Sequence, residues 1–462
     1  MITFTITELR EALGARSAVF DPPLSRVIVG VSTDSRRIIS GGLFVALSGD
    51  HFDGHAFVED ALRHGAVAAL VSRRVDVPIV QIVVDDVLRA LQDLAAWHLD
   101  RCPALRLALT GSNGKTSTKE LVRAALSGAL GADAVVATAG NLNNHIGVPL
   151  TAFTVDPLHR AAVFEMGMNH LGEIARLCEI VRPSIGLITN IGSAHAANVG
   201  GIDGVARAKG ELFASLSDAG TAIVNVDDER CIAVARGIRG RALTFSLDGV
   251  ADVSARVLGV TKTGLALTMT HEGRDRECSI PLIGRHHARN AAGAVAMAIA
   301  AGVPFSAAVD GLAQASVSGG RLSWRERADG LIVLDDTYNA NPDSLRVALD
   351  TLREVAGGRR TVAIVGDMLE LDDPVASHAQ LGRYAVECGV DALLCAGPLA
   401  RHLLDAALAD GLPEEVTRFA VSSVDLATLA AQFVHSGDIV LVKGSRGARM
   451  ERVVDALLHG GE

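Results

Sequence analysis

The stretch Leu105-Arg-Leu-Ala-Leu-Thr110, followed at once by Gly111-Ser-Asn-Gly114-Lys115-Thr116-Ser117, constrains this chain more than any other. The apolar run reads as a buried strand, the glycines as a tight turn, and Lys115 as the start of a helix. Backbone N–H groups converge in such a turn and the helix N-terminus adds partial positive charge, so phosphate oxygens settle there. Gly111, Ser112, Asn113, Gly114, Lys115, Thr116 and Ser117 are therefore the expected cradle of a nucleoside triphosphate. Lys115 is placed to neutralise the outer phosphates, and the Thr116 hydroxyl to ligate Mg²⁺. The spacing departs from GxxxxGK[ST], since Leu109 stands where the first glycine belongs and Gly111 comes two residues later.

A strand-then-helix cadence surrounds this unit. Ala134–Thr138, Ala161–Glu165, Ile185–Asn190 and Thr221–Asn225 are short apolar runs bounded by turn residues. Uninterrupted apolar strands alternating with helices predict a mostly parallel sheet covered on both faces. Near Val253–Leu282 the pattern changes to alternating strands with Gly turns, which predicts a small antiparallel insert. The cadence restarts with strands at Leu331–Asp335, Thr361–Val365, Ala392–Ala396 and Asp438–Val442. Ahead of it all lie β-rich runs at Arg26–Ser32, Leu43–Leu47, Ala66–Val71 and Ile79–Val84, then helical periodicity over Val87–Leu99. Arg101-Cys102-Pro103 breaks that pattern and reads as a linker. The expectation is an α/β protein of three domains. These are an N-terminal α/β domain over residues 1–100, a central P-loop-type parallel-sheet ATPase domain with its antiparallel insert over 101–315, and a C-terminal Rossmann-like domain over 316–462.

Composition narrows the partners. With 43 Lys plus Arg against 53 Asp plus Glu, the formal net charge is -10, and an acidic surface repels nucleic acid. Aromatics make up only 3% of a chain that is 49% hydrophobic, which suits small-residue helices packed closely on sheets. The cysteines, Cys102, Cys178, Cys231, Cys278, Cys388 and Cys395, stand singly with no CxxC pair. That pattern indicates neither a zinc knuckle nor a disulfide framework and fits a reducing compartment. Met1–Arg10 lacks the basic-then-apolar order of a signal peptide. The longest apolar stretch, about 291–305, falls short of the ~20 residues a spanning helix needs. A cytoplasmic monomer, not inserted in a membrane, is expected.

Further polar motifs fall at predicted strand ends, where ligands of open α/β sheets bind. Ala161–Phe164 leads into Glu165-Met-Gly-Met-Asn-His170, Ile185–Thr189 leads into Asn190-Ile-Gly-Ser-Ala-His195, and Lys209 lies in the helix-like Ala206–Glu211. Glu165 is a hard oxygen donor suited to Mg²⁺, and His195 a nitrogen ligand or a phosphate-orienting group. Each alone is an ordinary surface residue; the neighbouring phosphate turn is what raises them to site candidates.

Taken together, these motifs resemble the Mur ligase family, and the resemblance covers the whole chain. Thr110–Thr116, Asn141-Leu-Asn-Asn144 with Ile146–Pro149, Glu165–Asn169, Asn190–His195 and Ala208–Glu211 follow the family's central order. Gly284-Arg-His286 with Asn290, then Arg321, Asp335–Pro342, Gly366–Glu370 and Lys443–Arg446 continue it. In the first block Thr33–Arg36, Gly42–Ala46 and Asp53-Gly54-His55 resemble the branch adding either a third amino acid or a terminal dipeptide. Asn339-Ala-Asn-Pro342 is similar to the dipeptide-adding member, and the Asp-Asn-Pro-Arg signature of the diaminopimelate-adding one is absent.

The resemblance implies an ATP-dependent ligase that activates the carboxylate of UDP-N-acetylmuramoyl-tripeptide (UDP-MurNAc-tripeptide) as an acyl phosphate and joins it to D-alanyl-D-alanine. It implies that Lys115 and Gly114 hold the ATP phosphates and that Thr116 and Glu165 serve one Mg²⁺. His195 and a carbamylated Lys209 serve a second. Asn290, Arg321 and Asp336 would hold adenine, ribose and phosphate. Ser35, Asp50, His51 and Phe52 would meet the uridine end, Asn143 and Asn144 the reacting region, and Asn339 and Asn341 the dipeptide. His287 stands where the family has Asn. Two alternatives stay open: a member adding lysine or diaminopimelate, and a catalytically inactive nucleotide-binding regulator.

Overall fold

The computed structural model describes residues 2–14, 18–19, 27–49, 52–194, 196–317 and 319–459. Three of the expected site residues, Asp50, His51 and His195, lie outside that set.

A nine-stranded sheet forms the middle of the molecule. Its order is Val135–Ala137, Ala161–Glu165, Leu105–Thr110, Ile185–Ile188, Thr221–Asn225, Arg241–Leu247, Val253–Thr261, Gly264–His271 and Arg274–Ile280. Pairing is parallel as far as Val253–Thr261 and antiparallel beyond it. The antiparallel strands of the expected insert extend the same sheet, Phe245–Leu247 pairing directly with Val253–Ala255. The strand Leu105–Thr110 shows why a continuous apolar run is needed here. Leu107 and Leu109 enter the core on one face and Ala108 the core on the other, as the two-residue period of a strand requires.

Helices close both faces, and small residues set how near they come. The helix Lys115–Leu130 lies against His286–Ala300 and Phe305–Gly311. A Cβ on Gly311 would sit 2.3 Å from the Ala124 carbonyl oxygen, and one on Gly128 2.4 Å from that of Ala307. Backbone-to-backbone approach replaces the missing aromatics, as the composition suggests.

The first sheet runs Ala18–Val19, Val80–Val83, Ala68–Val71, Leu43–Val45, Val31–Ser32, parallel except at the Ala18–Val19 edge. The single strand expected over Arg26–Ser32 splits at Gly30, whose φ is 78°. Val27–Val29 pairs with Thr3–Thr5, while Val31–Ser32 joins the five-stranded sheet. The helix Val87–Leu99, with the bounds read from the sequence, is capped by Asp86, which accepts from the Arg89 N–H at 2.9 Å. Its Leu91, Leu94 and Ala95 share one core with the first sheet and with Val148, Phe164 and Leu177 of the central layer. The expected linker lies against the central layer: Cys102 Sγ is 3.7 Å from the Val155 carbonyl oxygen, which His98 Nε2 of the preceding helix also approaches at 2.7 Å.

The third sheet has the order Ser323–Glu326, Ile332–Asp336, Ile439–Lys443, Thr361–Gly366, Ala392–Ala396, Thr417–Ala420, with only its first pair antiparallel. Ser445 ties three loops at the carboxyl end of this sheet. Its hydroxyl donates to the Ala340 carbonyl at 3.2 Å and accepts from the Leu369 N–H at 2.9 Å, and its own N–H donates to the Asp367 carbonyl at 2.9 Å. Among the described residues, no helix is long and apolar enough to cross a membrane.

A Gly311→Ala variant should be destabilised by about 1–3 kcal/mol through overpacking against a backbone carbonyl. A clear fall in the thermal unfolding midpoint is expected, and an unchanged midpoint would show that the helices can part at no cost.

Candidate active site

The carboxyl ends of the central strands face loops of the third sheet across a cavity of about 730 Å³. The sequence motifs meet there: Ser112 to Ser117, Asn143, Asn144, Glu165, Lys209, Asn290, Arg321, Asp336, Asn339 and Asn341 all line it. The turn is therefore open to ligand rather than sealed in the core.

The turn is built where no side chain fits. A Cβ on Gly111 would overlap Thr189 Oγ1 at 1.8 Å. Gly114, with φ 78°, precedes the helix Lys115–Leu130, and a Cβ there would lie 2.9 Å from Asn290 Nδ2. The loop is pinned from the neighbouring strand end. Thr189 Oγ1 and Asn190 Nδ2 donate to the Asn113 carbonyl at 2.6 and 3.0 Å, and Asn190 Oδ1 accepts from the Asn113 N–H at 3.0 Å. Lys115 Nζ donates to the carbonyls of Gly111 at 2.7 Å and Ser112 at 3.2 Å. Burial pushes the Lys115 pKa down and Arg321 adds to that, with Glu165 opposing.

At the next strand end Glu165, only 1% exposed, is held from two sides. Thr116 Oγ1 donates to Oε2 at 2.9 Å and Asn143 Nδ2 to Oε1 at 2.8 Å. A hydroxyl and a carboxylate oxygen side by side form the hard donor set that Mg²⁺ takes, completed by phosphate oxygens and water. Lys209, on the helix Ile202–Ala214, is likewise 1% exposed. Burial, and then repulsion from Lys115, lowers its pKa well below the ordinary lysine value, so its neutral amine is accessible. Among the described residues no three of His, Cys, Asp and Glu gather as a metal nest.

Other residues of the cavity carry polar atoms without partners. His286 Nδ1, Arg289 Nε and Arg321 Nε are buried and unpaired by any protein group, yet all three side chains line the cavity. Unpaired buried donors are costly unless a ligand completes them, and an anionic nucleotide has the oxygens to do so. Arg321 stacks its guanidinium 3.8 Å over the Tyr338 ring. Asp336 pairs with Lys443 at 2.5 Å, and Lys443 also donates to the Asn339 carbonyl at 2.9 Å. His287 Nδ1 lies 3.5 Å from Asn290 Nδ2, and burial with the nearby Arg321 takes its pKa down to about 4.

From the third sheet, Asn341 begins the helix Pro342–Val355 as its N-cap, and its Nδ2 donates to Asn113 Oδ1 of the phosphate turn at 2.7 Å. Asn144 Oδ1 is turned to its own loop, accepting from the Ile146 and Gly147 N–H groups. Ser35, in the short helical turn Ser35–Arg37, and Phe52, in the two-stranded pair of Ser48–Gly49 with Phe52–Asp53, stand outside this cavity. Ser35 Oγ donates to Asp60 Oδ2 at 2.7 Å, and Phe52 is exposed beside Gly49.

The sequence reading missed Lys119. It lies one turn beyond Lys115 on the same helix face and is fully buried, with Nζ 2.6 Å from the Thr138 carbonyl and 4.0 Å from Glu165 Oε2. The available signal was a lysine four residues after Lys115, on a face that otherwise turns to the core.

Known proteins share this layout along the whole chain. Residues 109–298 match the Mur ligase middle domain, residues 320–446 the Mur ligase, glutamate ligase domain, and residues 27–108 the Mur ligase family, catalytic domain. The UDP-N-acetylmuramoyl-tripeptide--D-alanyl-D-alanine ligase of Escherichia coli K12 is 38% identical over 100% of both chains. That of Bacillus subtilis 168 is 32% identical over 99% of each. A crystal structure of MurF from Acinetobacter baumannii is similar with a TM-score of 0.89 at 32% identity, covering 99% of both chains. MurF from Thermotoga maritima in complex with ADP gives 0.79 at 26% identity, covering 92% of this chain and 96% of that one.

The depressed His287 pKa makes a pH prediction. Between about 4 and the ordinary 6.5 the unfolded chain binds a proton that the folded one refuses. The stability tied to a neutral His287 is whole above about 6.5 and is lost as pH falls toward about 4, amounting to roughly 3 kcal/mol at most. Urea unfolding at about pH 7.5 and about pH 5 should show a smaller acid loss for His287→Asn than for the unaltered chain. Equal losses in both would place the sensitivity elsewhere.

Proposed function

The chain belongs to the Mur ligase family, and from that premise we propose how its cavity works. The enzyme uses ATP to join D-alanyl-D-alanine to UDP-MurNAc-tripeptide, forming UDP-MurNAc-pentapeptide, a precursor of peptidoglycan. One observation carries the reading: in a chain matching dipeptide-adding ligases end to end, the phosphate turn opens into a cavity whose far wall is the third sheet.

ATP lies between the central and third sheets. Its phosphates rest on the backbone of Gly111 to Thr116 and on the ammonium of Lys115. Asn290, Arg321 and Asp336 hold the base, ribose and phosphate end, with the unpaired donors of His286 and Arg289 beside them. Thr116 and Glu165 would hold one Mg²⁺, which would neutralise phosphate charge. Lys209 in its neutral form can add to CO₂, releasing a proton and becoming a carbamate, an anion that with His195 would hold a second metal. The uridine end of the other substrate meets Ser35, Asp50, His51 and Phe52 of the first domain. The protein acts as a cytoplasmic monomer.

The tripeptide carboxylate attacks the γ-phosphorus in line. An oxygen–phosphorus bond forms, the bond to the ADP oxygen breaks, and an acyl phosphate results. Lys115 offsets the charge crowded between two anions at that moment. Asn143 keeps Glu165 in place by occupying its second oxygen. The dipeptide amine, guided by Asn339 and Asn341, then attacks the activated carbonyl and expels phosphate. Water is kept out by the seam in which Asn341 meets Asn113.

Purified protein should release phosphate only when ATP, UDP-MurNAc-tripeptide and D-alanyl-D-alanine are all present, with a pentapeptide product by mass. Equal release without the dipeptide, or with free lysine or diaminopimelate in its place, would overturn the assignment. Lys115→Ala should lower kcat by about 10²–10³-fold, the scale on which one transition-state charge contact acts. Chelation of Mg²⁺ should abolish turnover and re-addition restore it; activity that survives chelation would remove the metal from the scheme.

A further inference from the structure

We propose that Asp343 receives the ammonium group of the incoming amine and holds its nitrogen beside the activated carbonyl. This rests on the acyl-phosphate reading above and adds a residue to it.

Asp343 sits in the first turn of the helix Pro342–Val355 and lines the cavity. Its Oδ2 accepts from the Ser193 N–H at 3.1 Å and the Ser193 hydroxyl at 3.3 Å. A Cβ built on Gly192 would lie 2.4 Å from that oxygen and 3.6 Å from Ser112 Cβ. The carboxylate thus stands about a side chain's breadth from the phosphate turn, on the third-sheet side and next to Asn341.

The other acids of the cavity are committed. Glu165 is held by Thr116 and Asn143, and Asp336 by Lys443. Asp227 accepts from Ser246 and from the Leu247 N–H, and Asp228 accepts from the Ile191 N–H and caps a helix. Glu173 accepts from the Asn169 N–H and pairs with His170. Asp343 is bound only through Ser193, and among the described residues no Lys, Arg or His pairs with it.

The cavity's other acids already have partners, yet one substrate must arrive as a cation. A peptide amine is largely protonated near neutral pH. A carboxylate without a counter-ion, placed where the amine enters, supplies the missing attraction. The step balances. The ammonium nitrogen loses two protons as it forms the C–N bond, and the carbonyl carbon releases the phosphate oxygen. One proton leaves with phosphate as HPO₄²⁻ and the other passes to water. Asp343 takes neither proton.

The alternative is that Asp343 merely fastens the seam through Ser193, and Asp343→Asn separates the two roles. Asparagine keeps an oxygen that can accept from the Ser193 N–H but loses the charge. Acyl phosphate can be trapped with hydroxylamine, a largely neutral nucleophile that does not need an ammonium site. In Asp343→Asn, the KM for D-alanyl-D-alanine should rise about tenfold or more, the scale of losing one charge-assisted hydrogen bond. The KM values for ATP and UDP-MurNAc-tripeptide and the rate of hydroxamate formation without dipeptide should stay within about twofold. Asp343→Glu should recover part of the dipeptide affinity. An unchanged dipeptide KM, or a loss of hydroxamate formation matching the loss of ligation, overturns the proposal. Absence of hydroxamate with the unaltered enzyme would instead remove the acyl-phosphate reading beneath it.

Discussion

Two glycines pressed against side chains from elsewhere in the fold carry the rest of this structure. Thr189 fills the space beside Gly111, and Asn290 the space beside Gly114. The strand Leu105–Thr110, the end of Ile185–Ile188 and the helix His286–Ala300 therefore converge on two positions of bare backbone. A Cβ at either glycine would push the neighbouring elements apart. What remains is a ring of main-chain amides at a helix N-terminus, rigidified through Asn113 by Thr189 and Asn190. Such a ring is an anion site by construction, because its dipoles are oriented before a ligand arrives.

Around that ring the protein concentrates positive charge and unpaired donors, and so stores unfavourable energy in the folded state. Lys209 is buried with the half-buried Lys115 near it, and burial with repulsion from Lys115 lowers the Lys209 pKa. His286, Arg289 and Arg321 keep donor atoms without protein partners. A chain that tolerates these costs has a ligand to offset them, and the small-residue packing of Gly128 and Gly311 supplies the rigid support behind the site.

The third sheet completes the cavity through one helix. Pro342–Val355 reaches the phosphate turn at its first residues and the central layer again near its end, where Arg285 lies 3.7 Å from Glu354. A rigid helix touching the central layer at both ends makes the position of the third sheet and the geometry of the nucleotide pocket one variable. That coupling suits a reaction whose intermediate must be kept from water until the second substrate is in place.

Much of this was legible in the linear chain. The strands Leu105–Thr110, Ala161–Glu165, Thr221–Asn225 and Ala392–Ala396 and the helix Val87–Leu99 have the bounds their apolar patterns give. Parallel strands buried on both faces leave an unbroken apolar signature, and a helix capped by Asp86 declares its start. The strands Arg241–Leu247, Ser323–Glu326 and Thr417–Ala420 escaped notice because polar residues interrupt their partly exposed faces. Which sheet the antiparallel insert joins was not legible, because alternation reports one exposed face and says nothing of the neighbouring strand. By itself the sequence determined the local units, the phosphate turn, and the acid at each strand end, since these follow from periodicity and turn chemistry over a few residues. Only the tertiary structure decided that Asn143 meets Glu165, that Lys119 is buried beside it, and that Asn341 reaches Asn113 from 228 residues away. Those contacts depend on strand order and on how two sheets face one another, which no local pattern encodes.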